Sequence, residues 1–359
     1  MIQPVSAPFV HHWNTAKFNE RILSIILLLV IVWATCIHGF NVLLICLFGF
    51  LGATIAWLIR KYLFKTTGTP LEYMIPGLLL VLIFPITIPL FIPFITMFFT
   101  YFIFFIVFGG KENNYLNIPA FGALFAYMAW PGYFTYFFNN TEKLVDGITK
   151  ASSISILKSY ATNHAIQKSS FILLQEAGVS ISSIDKSITD FLNTVFFNEF
   201  NSSLPYGFFD FLFGFKSITI IESGIFILFI GLIILFAISY YKYITAFTAA
   251  FIYLLLVWIF GIGLNNEELF HGDILFSMVN FGTMIALFYY NVFPENNCVK
   301  KISQIILGII TGFFSYICLR FIKSTEGMFL VLCSINILVI FAKNFQITTT
   351  SEQRTMSNE

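Results

Sequence analysis

Long apolar stretches separated by short polar turns run along most of the chain. A helix needs roughly 20 mainly apolar residues to cross a lipid bilayer, and about ten stretches approach that length. They are predicted at 21–38, 42–59, 72–89, 91–109, 119–138, 220–239, 243–263, 273–291, 303–320 and 327–343. The pattern therefore predicts an all-α polytopic membrane protein of about ten transmembrane helices in a lipid bilayer.

A long polar segment divides these predicted helices into two halves of five. Because an odd number of spans reverses the direction of the chain, the two halves would have opposite orientations, which is the arrangement of an inverted repeat. The predicted regions are an N-terminal segment 1–20, membrane halves 21–138 and 220–344, an intermediate segment 139–219 and a disordered tail 345–359. In the intermediate segment, Ile184, Ile188 and Phe191 predict a short amphipathic helix on the membrane or on the bundle.

Composition supports membrane insertion and indicates its direction. Hydrophobic residues make up 58% of the chain and charged residues 10%, and the net charge of +1 gives no sign of a nucleic-acid partner. Cytoplasmic loops retain positive charge. Most Lys and Arg fall in predicted loops on one side, namely Lys17, Arg21, Arg60, Lys61, Lys65, Lys111, Lys242, Lys300, Lys301, Lys343 and Arg354. Both termini are therefore predicted in the cytoplasm, with 139–219 on the far side.

Cysteine and histidine positions predict no metal site. Cys36, Cys46 and Cys333 lie in apolar spans, where Cys usually serves as a small packing residue. His164 and His271 have no partner at a spacing typical of metal ligands.

Two acidic residues stand at the starts of predicted spans. Glu222 begins the sixth span and Asp273 the eighth. An acid at membrane depth is a candidate functional residue. The alternative is a structural role, because a helix N-terminus favours negative charge without any further function.

A short motif follows the fifth predicted span, with the sequence Asp-Gly-Ile-Thr-Lys-Ala-Ser at 146–152. It resembles the site at which bacterial flavin transferases join the phosphate of FMN to the last hydroxyl, here that of Ser152. Lys150 stands where the pattern has Gly. The alternative is a polar loop in which Asp146 or Thr149 caps a helix.

A second motif precedes the fifth span. Gly109 and Gly110 are followed by Asn114, Asn117 and Pro119. A Gly pair and a Pro at membrane depth predict a broken helix, whose free backbone groups would bond to the two Asn side chains. The alternative is a cytoplasmic loop rich in turn-forming residues.

Taken together, these motifs make the chain similar to the family that contains the RnfD protein of the Rnf electron-transport complex and the NqrB protein of the sodium-translocating NADH:quinone reductase. Members carry the Gly-Gly/Asn motif before the fifth span and the flavin motif after it. They also carry Gly-x-x-x-Gly-Ser-x-Gly-Glu at the sixth span, for which this chain has Gly214, Thr219 and Glu222. Met284 stands where the family has an acid, which is the pattern of a divergent, stand-alone member.

The resemblance implies an electron-relay subunit in the bacterial inner membrane. It implies FMN bound as a phosphoester to Ser152, a flavin transferase and other subunits of a membrane redox complex as partners, and room for a second, non-covalent flavin. The residues that it marks for the cofactor are Ser152, Asp146, Gly147, Thr149, Ala151, Asn114, Asn117 and Glu222. No residue is assigned a catalytic role, because the cofactor performs the redox chemistry in such a relay.

Two other functions fit the same predicted fold. One is a channel or transporter for a small solute, and the other is a membrane scaffold without a cofactor. Both stay open because a fold does not determine a function.

Overall fold

The structure is a computed structural model, and it describes most of the helical part of the chain. The described residues are 15–64, 74–108, 117–134, 169–176, 179–200, 202–217, 219–239, 244–261, 269–270, 272–279, 301–322 and 329–335. Within these ranges the regular structure is helical and contains no β-strand. The predicted all-α membrane fold is confirmed.

The first half of the chain contains six helices in the described ranges. They are α1 (Thr15–His38), α2 (Asn41–Phe64), α3 (Met74–Leu82), α4 (Phe91–Phe102), α5 (Ile118–Ala129) and α6 (Pro131–Phe134). A π-helical turn, Ile103–Val107, continues α4.

The intermediate segment and the second half supply the remaining helices. They are α7 (Ser170–Glu176), α8 (Ser183–Leu192), α9 (Phe208–Leu212), α10 (Ile220–Ser223), α11 (Ile225–Ser239), α12 (Ile244–Phe260), α13 (Ile274–Val279), α14 (Lys301–Ile322) and α15 (329–335). A π-helical turn, Asn193–Phe197, and a 3₁₀ turn, Asn198–Phe200, continue α8. Among the described residues, three helical stretches have the length and composition to cross a membrane: Glu20–His38, Asn41–Leu63 and Lys301–Cys318.

The third span is shorter than the sequence predicts. Helix α3 ends at Leu82, and residues 83–90 form turns before α4 begins. Pro85 and Pro89 have no backbone N–H to continue a helix, and the residue before a proline is biased away from helical geometry. Ile86 and Ile88 are buried in this turn. Because both residues are apolar, the hydropathy pattern does not show that the helix ends here.

Two helix pairs approach closely through glycines. Helix α2 packs along α4, and α12 packs along α14. A Cβ atom added at Gly52 would clash with the carbonyl oxygen of Phe94, and one at Gly312 would clash with that of Ala249. Small residues permit such backbone approach between membrane helices, where packing is the main source of association.

The helix pairing has the form expected of two related halves. Under the ten-span prediction, α2·α4 pairs spans two and four, and α12·α14 pairs spans seven and nine. Adding five to each number of the first pair gives the second. Helix α1 packs along α11, which are spans one and six, with Gly224 against Val30 and Gly231 against Ile26. An inverted repeat produces this pattern, although the repeat and the helix count stay predictions.

The close contact at Gly312 gives a stability prediction. Gly312→Ala places a methyl group against the Ala249 carbonyl, so α12 and α14 must separate. We expect a loss of about 1–3 kcal/mol, which is typical of overpacking, and a lower melting temperature in detergent. Gly132→Ala is the control, because a Cβ there meets no atom within 4 Å. Equal melting of the two variants would contradict the close approach.

Candidate functional site

Two non-helical interruptions of the chain meet and pair with each other. We call residues 83–90, 213–217 and Thr219 together the break junction. The backbone N–H of Ile220 donates to the carbonyl of Phe84 at 3.1 Å, and Pro85 and Thr219 form an isolated antiparallel bridge. Lipid offers no partner for a backbone amide or carbonyl. Each interruption therefore supplies groups that the other needs.

Helix α1 and the first residue of α2 also bind the two interruptions. The side-chain amide of Asn41 donates to the carbonyl of Ile86 at 2.5 Å. The indole N–H of Trp33 donates to the carbonyl of Phe213 at 3.1 Å. The break junction is thus held from three parts of the chain that are far apart in sequence.

A buried polar cluster lies beside the break junction. The hydroxyl oxygen of Ser217 lies 2.8 Å from Nε2 of His38 and 2.9 Å from the hydroxyl oxygen of Ser223, and it donates to the carbonyl of Gly214 at 2.9 Å. Ser217 and Ser223 are buried. Because a Ser hydroxyl has one donor and two acceptor positions, Ser217 can bond to all three partners at once and so hold the turn in place.

This cluster was not predicted from the sequence. His38 stands at the end of an apolar run, and Ser217 and Ser223 flank the predicted Thr219 and Glu222. The available signal was the third motif, since Ser217 lies within the stretch between Gly214 and Thr219. Nothing in the sequence connects that stretch with a histidine so far away along the chain.

Glu222, one of the predicted cofactor residues, lies at the break junction. It is the third residue of α10, and its Oε2 accepts a hydrogen bond from the backbone N–H of Thr219 at 3.2 Å. The side chain is buried. This geometry is that of a capping residue at a helix start. Its role in flavin binding stays a prediction.

Asn117, a second predicted cofactor residue, begins α5. Its Oδ1 accepts from the backbone N–H of Ala120 at 3.3 Å, and Asn117 is 1% exposed. The amide thus bonds to the backbone at the start of α5, while residues 109–116 of the predicted helix break lie outside the described residues. Trp130 follows the other end of α5 and contacts Phe91 beside the break junction. Asn117 therefore lies roughly 18 Å from Trp130 along the axis of α5. The structure does not bring Asn117 together with Glu222, which lies at the break junction.

The other predicted cofactor residues lie outside the described residues. These are Asn114, Asp146, Gly147, Thr149, Ala151 and Ser152. Their assignments stay predictions.

Asp273, the second acid noted in the sequence, ties the intermediate segment to the second membrane half. Its Oδ1 accepts from the backbone N–H of Phe276 at 3.0 Å and so caps α13. Its Oδ2 accepts from the hydroxyl of Ser169 at 2.8 Å and from the N–H of Ser170 at 2.9 Å, where α7 begins. The contacts of Asp273 therefore support a structural role, the capping of helix starts, for this residue.

Two aspartates exchange caps between α8 and α9. Asp185, in the first turn of α8, accepts from the N–H groups of Gly207 at 2.6 Å, Phe209 at 2.8 Å and Asp210 at 3.2 Å. Asp210, in the first turn of α9, accepts from the N–H of Ser182 at 2.8 Å and from its hydroxyl. Ser182 is the N-cap residue of α8. Each helix thus supplies a carboxylate that satisfies the start of the other.

Opposing effects act on the pKa of Asp185 in this exchange of caps. Burial raises the pKa of Asp185 above its usual 3.8, and the nearby charge of Asp210 raises it further. Hydrogen bonds from the backbone of Gly207, Asp210 and Phe209 lower it and offset part of the increase. Because the folded-state pKa exceeds the unfolded one, this group favours folding most below pH 3.8, and that contribution is lost as the pH rises through the folded pKa.

A small cavity lies beside these helices. Phe171, Ser180, Asp210 and Lys216 are among its lining residues, and the ammonium of Lys216 donates to the hydroxyl of Ser180 at 3.0 Å. Its volume of about 10 Å³ is the room that one water molecule needs. This cavity cannot hold a flavin ring.

Taken together, the described helices and the break junction define a helical membrane protein whose interrupted stretches satisfy one another, with an anchored segment between its two halves. The chain belongs to the NQR2, RnfD, RnfE family, whose model it matches over residues 4–349. The resemblance seen in the sequence is confirmed. The protein is therefore a membrane subunit of an Rnf/Nqr-type complex. A comparison with curated proteins gives no match.

The exchanged caps give a second stability prediction. Asp185→Ala leaves three backbone N–H groups without their acceptor, and we expect a local loss of at least about 2 kcal/mol. Faster hydrogen–deuterium exchange of residues 205–212 would measure it. Asp190→Ala is the control, because Asp190 is exposed on the same helix and its carboxylate accepts from the Tyr206 hydroxyl at 2.7 Å. That change should stay within about 0.5 kcal/mol.

The pH dependence provides a further measurement on the same residue. Asp185→Asn replaces the titratable carboxyl group with an amide that does not titrate. The wild type should therefore lose stability relative to this variant as the pH rises from 3.8 through the raised pKa of Asp185. A constant difference between the two proteins over that range would contradict the pKa argument.

Proposed function

We propose that this protein relays electrons through an FMN joined by a phosphoester to Ser152, as a subunit of an Rnf/Nqr-type complex in the bacterial inner membrane. The observation that carries the proposal is the flavin-attachment pattern at 146–152 within a chain that belongs to this family over nearly its whole length. Bound FMN would supply one- and two-electron redox chemistry.

The described flanks of the attachment stretch support its location. On one side, Phe134 ends α6 and contacts Phe84 of the break junction, with ring centroids 6.4 Å apart. On the other side, Ser169 is bonded to Asp273. Phe276 of α13 contacts Phe211 of α9, which leads into the break junction. Both flanks therefore start from the same end of the bundle, and Ser152 lies between them in the sequence.

The roles of the chain's own residues follow from these anchors. The Ser152 hydroxyl would be the tether for the phosphate. The flanking contacts at Phe134 and Ser169 would fix where the tethered segment leaves and rejoins the bundle. Asn117 and Glu222 bond to the backbone, so their contribution would be to the shape of the membrane part.

The partners follow from the same proposal. A flavin transferase would have to close around the attachment stretch, which requires that stretch to be accessible on the side where the flavin is attached. The electrons would have to come from and go to other subunits of the complex, because the sequence has no nicotinamide-binding pattern and no spacing typical of iron–sulfur ligands.

Flavin attachment can be tested directly. After coexpression with a bacterial flavin transferase, the protein should show flavin fluorescence in a denaturing gel, and Ser152→Ala should abolish it. Ser153→Ala is the matched control and should retain the signal. Lys150→Gly restores the family pattern and should label at least as well as the wild type. Fluorescence that survives Ser152→Ala would show that the flavin is attached to a different residue. The absence of fluorescence from the wild type and from every variant would favour a channel or a scaffold.

Membrane orientation gives a separate prediction. From the distribution of Lys and Arg, Ala165→Cys should react with an impermeant maleimide added outside the inner membrane, whereas Thr350→Cys should react only after the membrane is opened. The reverse result would place the attachment stretch in the cytoplasm. It would contradict the proposed location of the flavin independently of the gel measurement.

A further inference from the structure

Helix α8 presents three different faces, formed by residues three or four positions apart. Asp185 and Thr189 are fully buried against the rest of the protein. Ser183, Ser187 and Asp190 form an exposed polar face. A third face, which we call the apolar face, consists of Ile184, Ile188 and Phe191 and is followed by Val195 and Phe196 in the π-helical turn.

The apolar face is largely uncovered within the described part of the protein. Ile184 is 54% exposed, Phe191 60%, Val195 49% and Phe196 57%. Contiguous apolar surface of this kind marks an interface rather than a surface in contact with water.

The order of the faces around the helix indicates what covers the apolar one. Successive residues of a helix are about 100° apart, so the polar, apolar and buried faces follow one another at about that angle. Lys186 is exposed and lies nearly opposite the apolar face. A helix lying along the bundle in this way would direct one side to the bundle, one to lipid and one, with its charge, to water.

Contacts to α1 set the position of this region. The Trp33 indole donates to the Phe213 carbonyl, immediately after α9. Trp33 lies five residues before His38, the last residue of a span-length helix, which is roughly 7–8 Å along the axis. The turn after α9 therefore lies close to the end of this helix.

The exchanged caps connect α8 directly to α9. Asp185 binds the amide of Gly207 at 2.6 Å, and Asp210 binds Ser182. The first turns of α8 and α9 are therefore in direct contact, so α8 starts near the same end of α1.

We infer that α8 and its π-helical continuation form an interfacial membrane helix, whose apolar face inserts among lipid molecules. The partner is the bilayer surface on the side of the intermediate segment. The insertion would hold the intermediate segment against the membrane from a second point, in addition to its attachment to α13 through Asp273. This inference does not depend on the flavin.

Spin labelling tests the inference on the full chain in bilayers of phosphatidylcholine and phosphatidylglycerol. The five native cysteines are replaced by alanine, and a nitroxide is attached through Ile184→Cys or Phe191→Cys on the apolar face. Lys186→Cys and Ser187→Cys are the matched controls on the same helix. We expect the apolar-face labels to collide preferentially with oxygen, at a depth of roughly 5–10 Å. The control labels should collide preferentially with a water-soluble nickel chelate.

Two results would overturn the inference. If labels at 184 and 191 meet the nickel chelate as often as the controls do, the apolar face is in water. If they are shielded from both oxygen and the chelate, another protein surface or a second copy of the chain covers the face. A monodisperse elution profile of each labelled variant ensures that a change in accessibility does not come from misfolding.

Discussion

A buried peptide group in a membrane must find its hydrogen-bond partner within the protein, and this constraint explains the organisation of the bundle. Within the described ranges, two of the places where the chain leaves helical geometry lie between α3 and α4 and between α9 and α10. The Ile220 amide then pairs with the Phe84 carbonyl, while Asn41 and Trp33 bind the neighbouring carbonyls. Helices α1, α3 and α10 pack together around this pairing. Any change that displaces one interruption leaves polar groups of the other without partners, so α3 and α10 cannot shift independently.

The intermediate segment depends on a second use of the same principle, in which carboxylates replace backbone groups as acceptors. Asp185 and Asp210 complete each other's helix starts, and Asp273 completes two helices from different parts of the chain. These acids are held in place by hydrogen bonds to backbone and hydroxyl groups. The segment on either side of the proposed flavin stretch is therefore fixed to the bundle by a few short, directional contacts, which is how a protein can define the position of a tethered cofactor.

The fold was largely predictable from the sequence, because apolar runs of membrane length leave little alternative to helices. The end of α3 was not, since Ile86 and Ile88 keep the turn as apolar as the helix before it. At the candidate site, the structure places Asn117 and Glu222 at helix starts, and their role in flavin binding stays a prediction. The cluster of His38 and Ser217 was missed because its members are 179 residues apart. Asp185 was not singled out from the sequence, because its partners belong to another short helix.

The pairing of Phe84 with Ile220 also has a consequence for biosynthesis. The chain is made from its N-terminus, so the first membrane half is complete well before residue 220 leaves the ribosome. During that interval the Phe84 carbonyl must bond to water or to the insertion machinery, because its final partner does not yet exist. The first half is therefore an incomplete folding unit, and its last step of maturation waits for the second half to be inserted beside it.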